Sequence, residues 1–219
     1  MLHDERLRIF LEADLYVVIT EALCAGRSAL EILGMTLAAG VRLVQLREKD
    51  LNSRLLYELA AEFRHQTQAA GALLIINDRL DIALAAGADG VHLGQDDLPV
   101  SAARRLGPEL LIGASTHSLE EALAAQGAGA SYVNIGPIFA TLTKEAATPL
   151  GPEMIDRVVP QLRIPWTTMG GIKKTNIDQV VSRGARHPAV ITAVTATPDP
   201  TTAARELRQM IADGLRAHP

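Results

Sequence analysis

Eight short apolar runs, each followed by a longer stretch of helical period, constrain this chain more than any other feature. The runs are LYVVIT near residue 15, LVQLR near 43, LLIIN near 73, GVHLG near 90, LLIGAS near 110, YVNIGP near 132, WTTMG near 166 and AVITAV near 189. Segments rich in Ala and Leu separate them, near 28–39, 53–69, 79–86, 101–106, 118–126, 152–159, 175–183 and 201–216. Short β-branched runs alternating with helical patterns are the mark of βα units around a parallel sheet. Eight evenly spaced units in 219 residues predict an α/β protein of one domain, a closed (β/α)8 TIM barrel with a short helical extension at about 1–13. An open doubly wound sheet is the alternative, but no GxGxxG follows the first run.

Local punctuation agrees with this count. AAGV at 38, AAGADGV at 85, GAGASYV at 127 and RGARHPAV at 183 each place a glycine between a helical segment and the next strand. Glycine there can adopt the left-handed conformation that terminates a helix. Ser118 with Glu121, and Thr175 with Asp178, have the spacing of N-caps for the helices that follow.

Composition narrows the function. Hydrophobic residues are 48% of the chain, enough for a large core, while aromatics at 3% leave little for base stacking. A net charge of −4 without a basic cluster argues against a nucleic-acid partner. Cys24 is the only cysteine, so no internal disulfide forms, and it reads as a stray thiol in a reducing compartment. No run is long enough to span a bilayer and the N-terminus has no leader pattern, so the expected location is the cytoplasm.

In such a barrel the active site lies at the C-terminal ends of the strands, which makes the residues after each apolar run informative. They are Gln45, Arg47 and Lys49 after the second; Asn77 and Asp78 after the third; Gln95, Asp96 and Asp97 after the fourth. Ser115 follows the fifth, Thr141, Thr143 and Lys144 the sixth, Gly170-Gly171 the seventh and Thr192 the eighth. The residues before each strand are mostly Gly and Ala, so polar character gathers at one mouth. Each feature has a plainer explanation: Arg47 and Lys49 as a solvated strand end, Asp78 and Asp97 as helix caps, Gly170-Gly171 as a turn. Together they read otherwise. Gln45, Arg47 and Lys49 share one face at period two. Asp78 and Asp97 offer two hard oxygen ligands to Mg2+, and glycines between strand and helix let backbone N–H groups approach a phosphate. His92 and His117 lack metal-site spacing and suggest structural roles, and Trp166 and Met169 suggest packing. Three cations, a carboxylate pair and a glycine-lined pocket describe a diphosphate beside a phosphate. With no evident covalent nucleophile, the expected chemistry is displacement of diphosphate by electrostatic stabilisation of the leaving group.

VQLREKD at 44, NDRLDIAL at 77, ADGVHLGQDD at 88, GASTHSLEEA at 113, IGPIFATLTK at 135 and MGGI at 169 together resemble the thiamin phosphate synthase family, in the family's order and over nearly the whole chain. The resemblance implies an enzyme that joins hydroxymethylpyrimidine diphosphate to hydroxyethylthiazole phosphate with Mg2+, through a dissociative route. It implies that Gln45, Arg47, Lys49, Asn77 and Lys144 surround the pyrimidine diphosphate and that Asp78 and Asp97 hold the metal. Ser115 is placed near the reacting groups; Thr141, Thr143, Gly171, Ile191 and Thr192 are placed around the thiazole phosphate. Lys144, Ser115 and Arg47 are the candidate catalytic residues, and a homodimer is implied as well. A thiazole tautomerase and a non-catalytic barrel that binds thiamin precursors are the alternatives, and the Thr-x-Thr-Lys motif favours the synthase. The chain departs from the family pattern at Arg186-His187-Pro188 and at Trp166-Thr167-Thr168-Met169, both expected near the phosphate side.

Overall fold

In the computed structural model, which describes residues 1–141 and 148–218, eight parallel strands close in sequence order into a barrel. They are β1 (Tyr16–Ile19), β2 (Leu43–Leu46), β3 (Leu73–Asn77), β4 (Gly90–Leu93), β5 (Leu111–Thr116), β6 (Tyr132–Ile135), β7 (Trp166–Met169) and β8 (Pro188–Val190). Closure is made by β8 pairing with β1, Ala189 opposite Tyr16. The helices are α1 (His3–Glu12), α2 (Ala29–Ala38), α3 (Ser53–Ala69), α4 (Leu80–Ala85), α5 (Val100–Leu106), α6 (Leu119–Gly127), α7 (Glu153–Val158), α8 (Asp178–Val181), α9 (Thr192–Thr195) and α10 (Pro200–Ala217). Among the described residues no helix is long and apolar enough to cross a membrane.

The two-residue period of a strand sorts the side chains into two cores. Val17, Ile19, Val44, Leu46, Leu74, Ile76, Val91 and Ile112 join the larger core between the strands and the helices. Tyr16, Val18, Leu43, Leu73, Ile75, Leu111, Tyr132 and Ala189 fill the smaller core inside the barrel. Leu43, Leu73 and Leu111 are wholly buried, each worth about 1.5–3 kcal/mol of transfer free energy. Further along the same faces, at Arg47, Asn77 and Ser115, the residues become polar, so one end of the barrel is apolar and the other is lined for chemistry.

The helix ends follow the residues that flank them. Gly40, Gly87, Gly129 and Gly184 all have positive φ, as the helix-ending glycines require. Ser118 accepts a hydrogen bond from the N–H of Glu121 at 3.1 Å and caps α6 as its sequence predicts. Thr175 does not play this part. Helix α8 begins only at Asp178, with Ile177 at its cap and no side-chain cap bond. In the turn before it, Asn176 Oδ1 accepts from the N–H of Lys173, three residues back, at 2.8 Å.

Helix α1 lies against the N-terminal ends of the strands. Phe10 is fully buried inside the barrel, its ring 4.7 Å from that of Tyr132 and 4.9 Å from that of His187. Arg6 pairs with Asp89 at 3.3 Å, Arg64 with the same carboxylate at 2.7 Å, and the N–H of Leu74 donates to it at 3.0 Å. His187 and Pro188 therefore stand at this end, with Pro188 opening β8 and paired across from Thr168. At roughly 3.3 Å per residue they are about 10–13 Å from Ile191 at the other end of β8, so they stand at the end of the barrel away from the cavity mouth. Trp166 also opens its strand and packs outward against the helices; only Met169 reaches the mouth.

Candidate active site

A cavity of about 560 Å³ opens at the C-terminal ends of the strands. Its lining includes Gln45, Arg47, Lys49, Asn77, Asp78, Asp97, Ser115, Thr141, Gly171, Ile191 and Thr192, residues drawn from all three parts of the expected site. Thr143 and Lys144 lie outside the described residues. His92, Gln95, Asn134 and His117 also face the cavity, so the two histidines set aside on spacing are part of its wall.

Strand β2 brings Gln45 and Arg47 to the mouth, and Lys49 follows. Arg47 keeps strand geometry, its N–H donating to the carbonyl of Ile19 at 2.9 Å. Lys49 Nζ is 3.3 Å from Asp78 Oδ2. Asp78 follows β3 in the left-handed conformation, φ 61°, which Asp tolerates better than most residues with a β-carbon. Its N–H donates to the carbonyl of His92 at 2.8 Å, which ties the turn to β4. Asp97 Oδ2 accepts from the N–H of Gly94 at 2.6 Å, folding the loop after β4 back over the mouth. Neither carboxylate caps a helix: the cap positions of α4 and α5 are Arg79 and Pro99. The capping explanation fails because both side chains turn toward one another.

This approach has an electrostatic consequence. Burial raises the carboxyl of Asp97 above the ordinary carboxylate range, and Asp78, in hydrogen-bonding contact, raises it further against the opposing pull of Gly94 N–H and Lys49. A like charge at this range makes the second ionisation costly. Among the described residues no three His, Cys, Asp or Glu side chains gather as a metal-binding group, although Asp96 also lines the cavity beside this pair.

Across the mouth, Gly170 and Gly171 both have positive φ, 103° and 62°. A β-carbon on Gly170 would meet Pro137, and one on Gly171 would meet the backbone of Ala140 and the side chain of Phe139. The glycines thus allow the β6 and β7 loops to stack closely. Ile138 N–H donates to Met169 O at 2.8 Å and Phe139 N–H to Gly170 O at 3.0 Å. On the returning side, Leu150 N–H donates to Pro137 O at 2.8 Å and Gly151 N–H to Ile138 O at 3.0 Å. The first turn after Gly171 is not helical, and the N–H of Lys173 is already taken by Asn176. Thr192 opens α9 with Ile191 at its cap, so the helix start nearest this wall belongs to the β8 unit.

Sequence reasoning did not find the buried polar chain below the cavity. Gln45 Nε2 donates to the Tyr16 hydroxyl at 2.6 Å, which is 3.1 Å from the Tyr132 hydroxyl. Tyr132 is 3.1 Å from His92 Nδ1, and His92 Nε2 is 2.9 Å from Ser115 Oγ. The alternation of Gly90, His92 and Gly94 on one face was the available signal. Cys24 is buried, donates to the Thr20 carbonyl at 3.2 Å and has its thiol pushed up to about 11 by burial and nearby Glu48 and Glu21, an inert thiol as expected.

A closed parallel barrel with its polar cavity at the strand C-termini is the architecture of a (β/α)8 enzyme. Residues 15–194 match the family described as thiamine monophosphate synthase. The chain is 41% identical over 213 residues to the thiamine-phosphate synthase of Pelotomaculum thermopropionicum, covering 96% of this chain and 98% of that one. It is 46% identical over 198 residues to the thiamine-phosphate synthase of Chloroflexus aurantiacus, covering 90% and 92%. Among solved structures, the thiamine phosphate pyrophosphorylase of Pyrococcus furiosus superposes with a TM-score of 0.87 at 37% identity, covering 93% of this chain and 98% of that one. The chain belongs to the thiamine monophosphate synthase family, and it is a transferase of thiamine biosynthesis.

Proposed function

We propose that the protein joins hydroxymethylpyrimidine diphosphate to hydroxyethylthiazole phosphate, forming thiamin phosphate and releasing diphosphate. The observation that carries this reading is the convergence of Arg47, Lys49, Asp78 and Asp97 on one cavity, with two carboxylates held in contact. The donor set suits Mg2+, which takes one or two carboxylates and leaves its other positions to water and phosphate oxygens. A cation between Asp78 and Asp97 would also relieve their repulsion. Bound there, Mg2+ supplies charge neutralisation to the diphosphate.

The remaining roles belong to the side chains. Arg47, Lys49 and Asn77 hold the diphosphate, and Lys144 adds a further cation from the loop after β6. As the bond between the pyrimidine methylene and the diphosphate oxygen breaks, its electron pair leaves with the diphosphate. These donors stabilise the charge that develops there. The thiazole nitrogen then supplies the electron pair for the new C–N bond to the methylene cation. No proton has to be removed in this step, and none of the described residues has to act as a base. Gln45 and Ser115 orient the pyrimidine; Thr141, Thr143, Gly171, Ile191 and Thr192 hold the thiazole phosphate.

The test combines purified protein, Mg2+ and both substrates, with thiamin phosphate and diphosphate as readouts. Equimolar formation of the two products is expected, and both should vanish with chelation. Turnover of the thiazole phosphate without diphosphate release would assign a tautomerase, and binding without turnover a silent barrel.

A further inference from the structure

We propose that His92, held by the Tyr132–Tyr16 pair, is a positioning residue that presents Ser115 to the cavity as a hydrogen-bond donor. This rests on the reading that Ser115 faces the reacting groups. It adds a direction to that side chain, fixed from beneath by the two buried phenols.

The direction follows from counting protons along the buried chain. Gln45 Nε2 can only donate, so the Tyr16 hydroxyl accepts at 2.6 Å. Tyr16 is 1% exposed, and among the described residues its other polar neighbour is the Tyr132 hydroxyl at 3.1 Å. Its own proton must therefore go to Tyr132. Tyr132 in turn gives its proton to His92 Nδ1 at 3.1 Å. Burial keeps both phenols protonated. With Nδ1 filled as an acceptor, the N–H of the imidazole is on Nε2 and donates to Ser115 Oγ at 2.9 Å. The serine accepts from below and its proton is left for the cavity. In the reverse order the Tyr16 proton would be buried without an acceptor, an arrangement folded proteins avoid.

The packing is built for this contact. Strand register sets His92 beside Gly113 and Gly113 beside Tyr132. A β-carbon at Gly113 would collide with both the Tyr132 ring and His92 Nδ1, so the missing side chain is what lets the phenol reach the imidazole. Gln95 adds a second fixture at the same residue, its Nε2 donating to the Ser115 carbonyl at 2.5 Å. A donor set in place before the substrate arrives acts most on the atom that gains negative charge, so its loss falls on kcat more than on KM.

The experiment is a double-mutant cycle with an independent spectroscopic arm. Tyr132→Phe removes the proton that fixes Nδ1 as acceptor and lets Ser115 donate to His92 instead. It should lower kcat by about tenfold or more with KM nearly unchanged. In a Ser115→Ala background the same substitution should change kcat by less than about twofold. Equal proportional losses in both backgrounds would overturn the proposal. The second arm records the 15N imidazole spectrum of the unmutated protein at neutral pH, with His92 assigned by its loss in His92→Gln. A bare Nδ1 and a protonated Nε2 support the proposal, and a proton on Nδ1 defeats it. This arm needs no turnover, so it decides the direction of Ser115 even if the synthase reaction is not found or Tyr132→Phe does not fold.

Discussion

The two ends of the barrel solve the problem of placing charge in a protein in opposite ways. At the N-terminal end Asp89 is wholly buried, yet two guanidiniums and a backbone N–H satisfy it. At the C-terminal end Asp78 and Asp97 face one another, with Lys49 beside the pair. Charge at the first end is neutralised by the chain itself, and what it holds is helix α1 against the barrel. Charge at the second end is set like against like in the carboxylate pair, which raises the carboxyl of Asp97 and costs stability. The carboxylates at the two ends thus have different tasks, set by the partners the fold brings to each.

Removing a carboxylate from each end should separate these tasks. Asp78→Ala and Asp97→Ala should each lower turnover on the order of a thousandfold while leaving thermal stability close to that of the parent. Steady-state assay with calorimetry on the same samples checks both, and retained activity with unchanged Mg2+ dependence would remove the metal assignment. Asp89→Ala should show the reverse pattern, a loss of about 3 kcal/mol because the buried Arg6 and the half-buried Arg64 lose their partner. Urea unfolding measures it, and kcat of the folded fraction should be nearly unchanged. A kcat that fell with stability would mean that the ends are coupled.

The smaller effects refine the picture of the mouth. Lys144→Ala should lower kcat by about tenfold and affect KM for the thiazole phosphate less, since its charge matters most as the diphosphate leaves. Presteady-state and steady-state measurements of the two parameters decide it. Asp97→Asn should raise the melting temperature of the metal-free protein slightly, by about 1–2 °C, because the pair is largely solvent-screened. The sign follows from linkage: a carboxyl whose folded pKa is raised is destabilising once ionised. The gain should therefore be present at neutral pH and fade as pH falls below the ordinary carboxylate range. A gain that persists in acid would point to a cause other than the repulsion.

Much of this architecture was legible in the sequence because it rests on local rules. The eight strands and the helix-ending glycines follow from hydrophobic period and from the left-handed conformation. The mouth residues follow because strand direction tells which end of each run faces the site. What could not be read depends on register between distant strands. That His92 meets Tyr132, ninety-two and one hundred and thirty-two along the chain, requires the offset of three strands, which period two does not contain. Register also places Pro188 opposite Thr168 and His187 over Phe10, moving the family departures to the end away from the cavity. Thr175 is a smaller case, since the helix starts two residues later than its spacing suggests and the path of the chain leaves it no helix start to cap. The path of the chain also bears on Gly171: a substitution there meets the loop at Phe139 and Ala140, so a change at Gly171 reports on loop packing.

The hydrogen bonds around Ile138 have a consequence for the wall they build. Ile138 and Phe139 are bound to β7 and its glycine turn, and the returning Leu150 and Gly151 are bound to Pro137 and Ile138. Two passages of chain thus share one pedestal, and the close approach at Gly170 against Pro137 sets its height. A side chain at Gly170 would push both passages off together, so this wall of the cavity responds to a single contact as one body and not as two independent strands of loop.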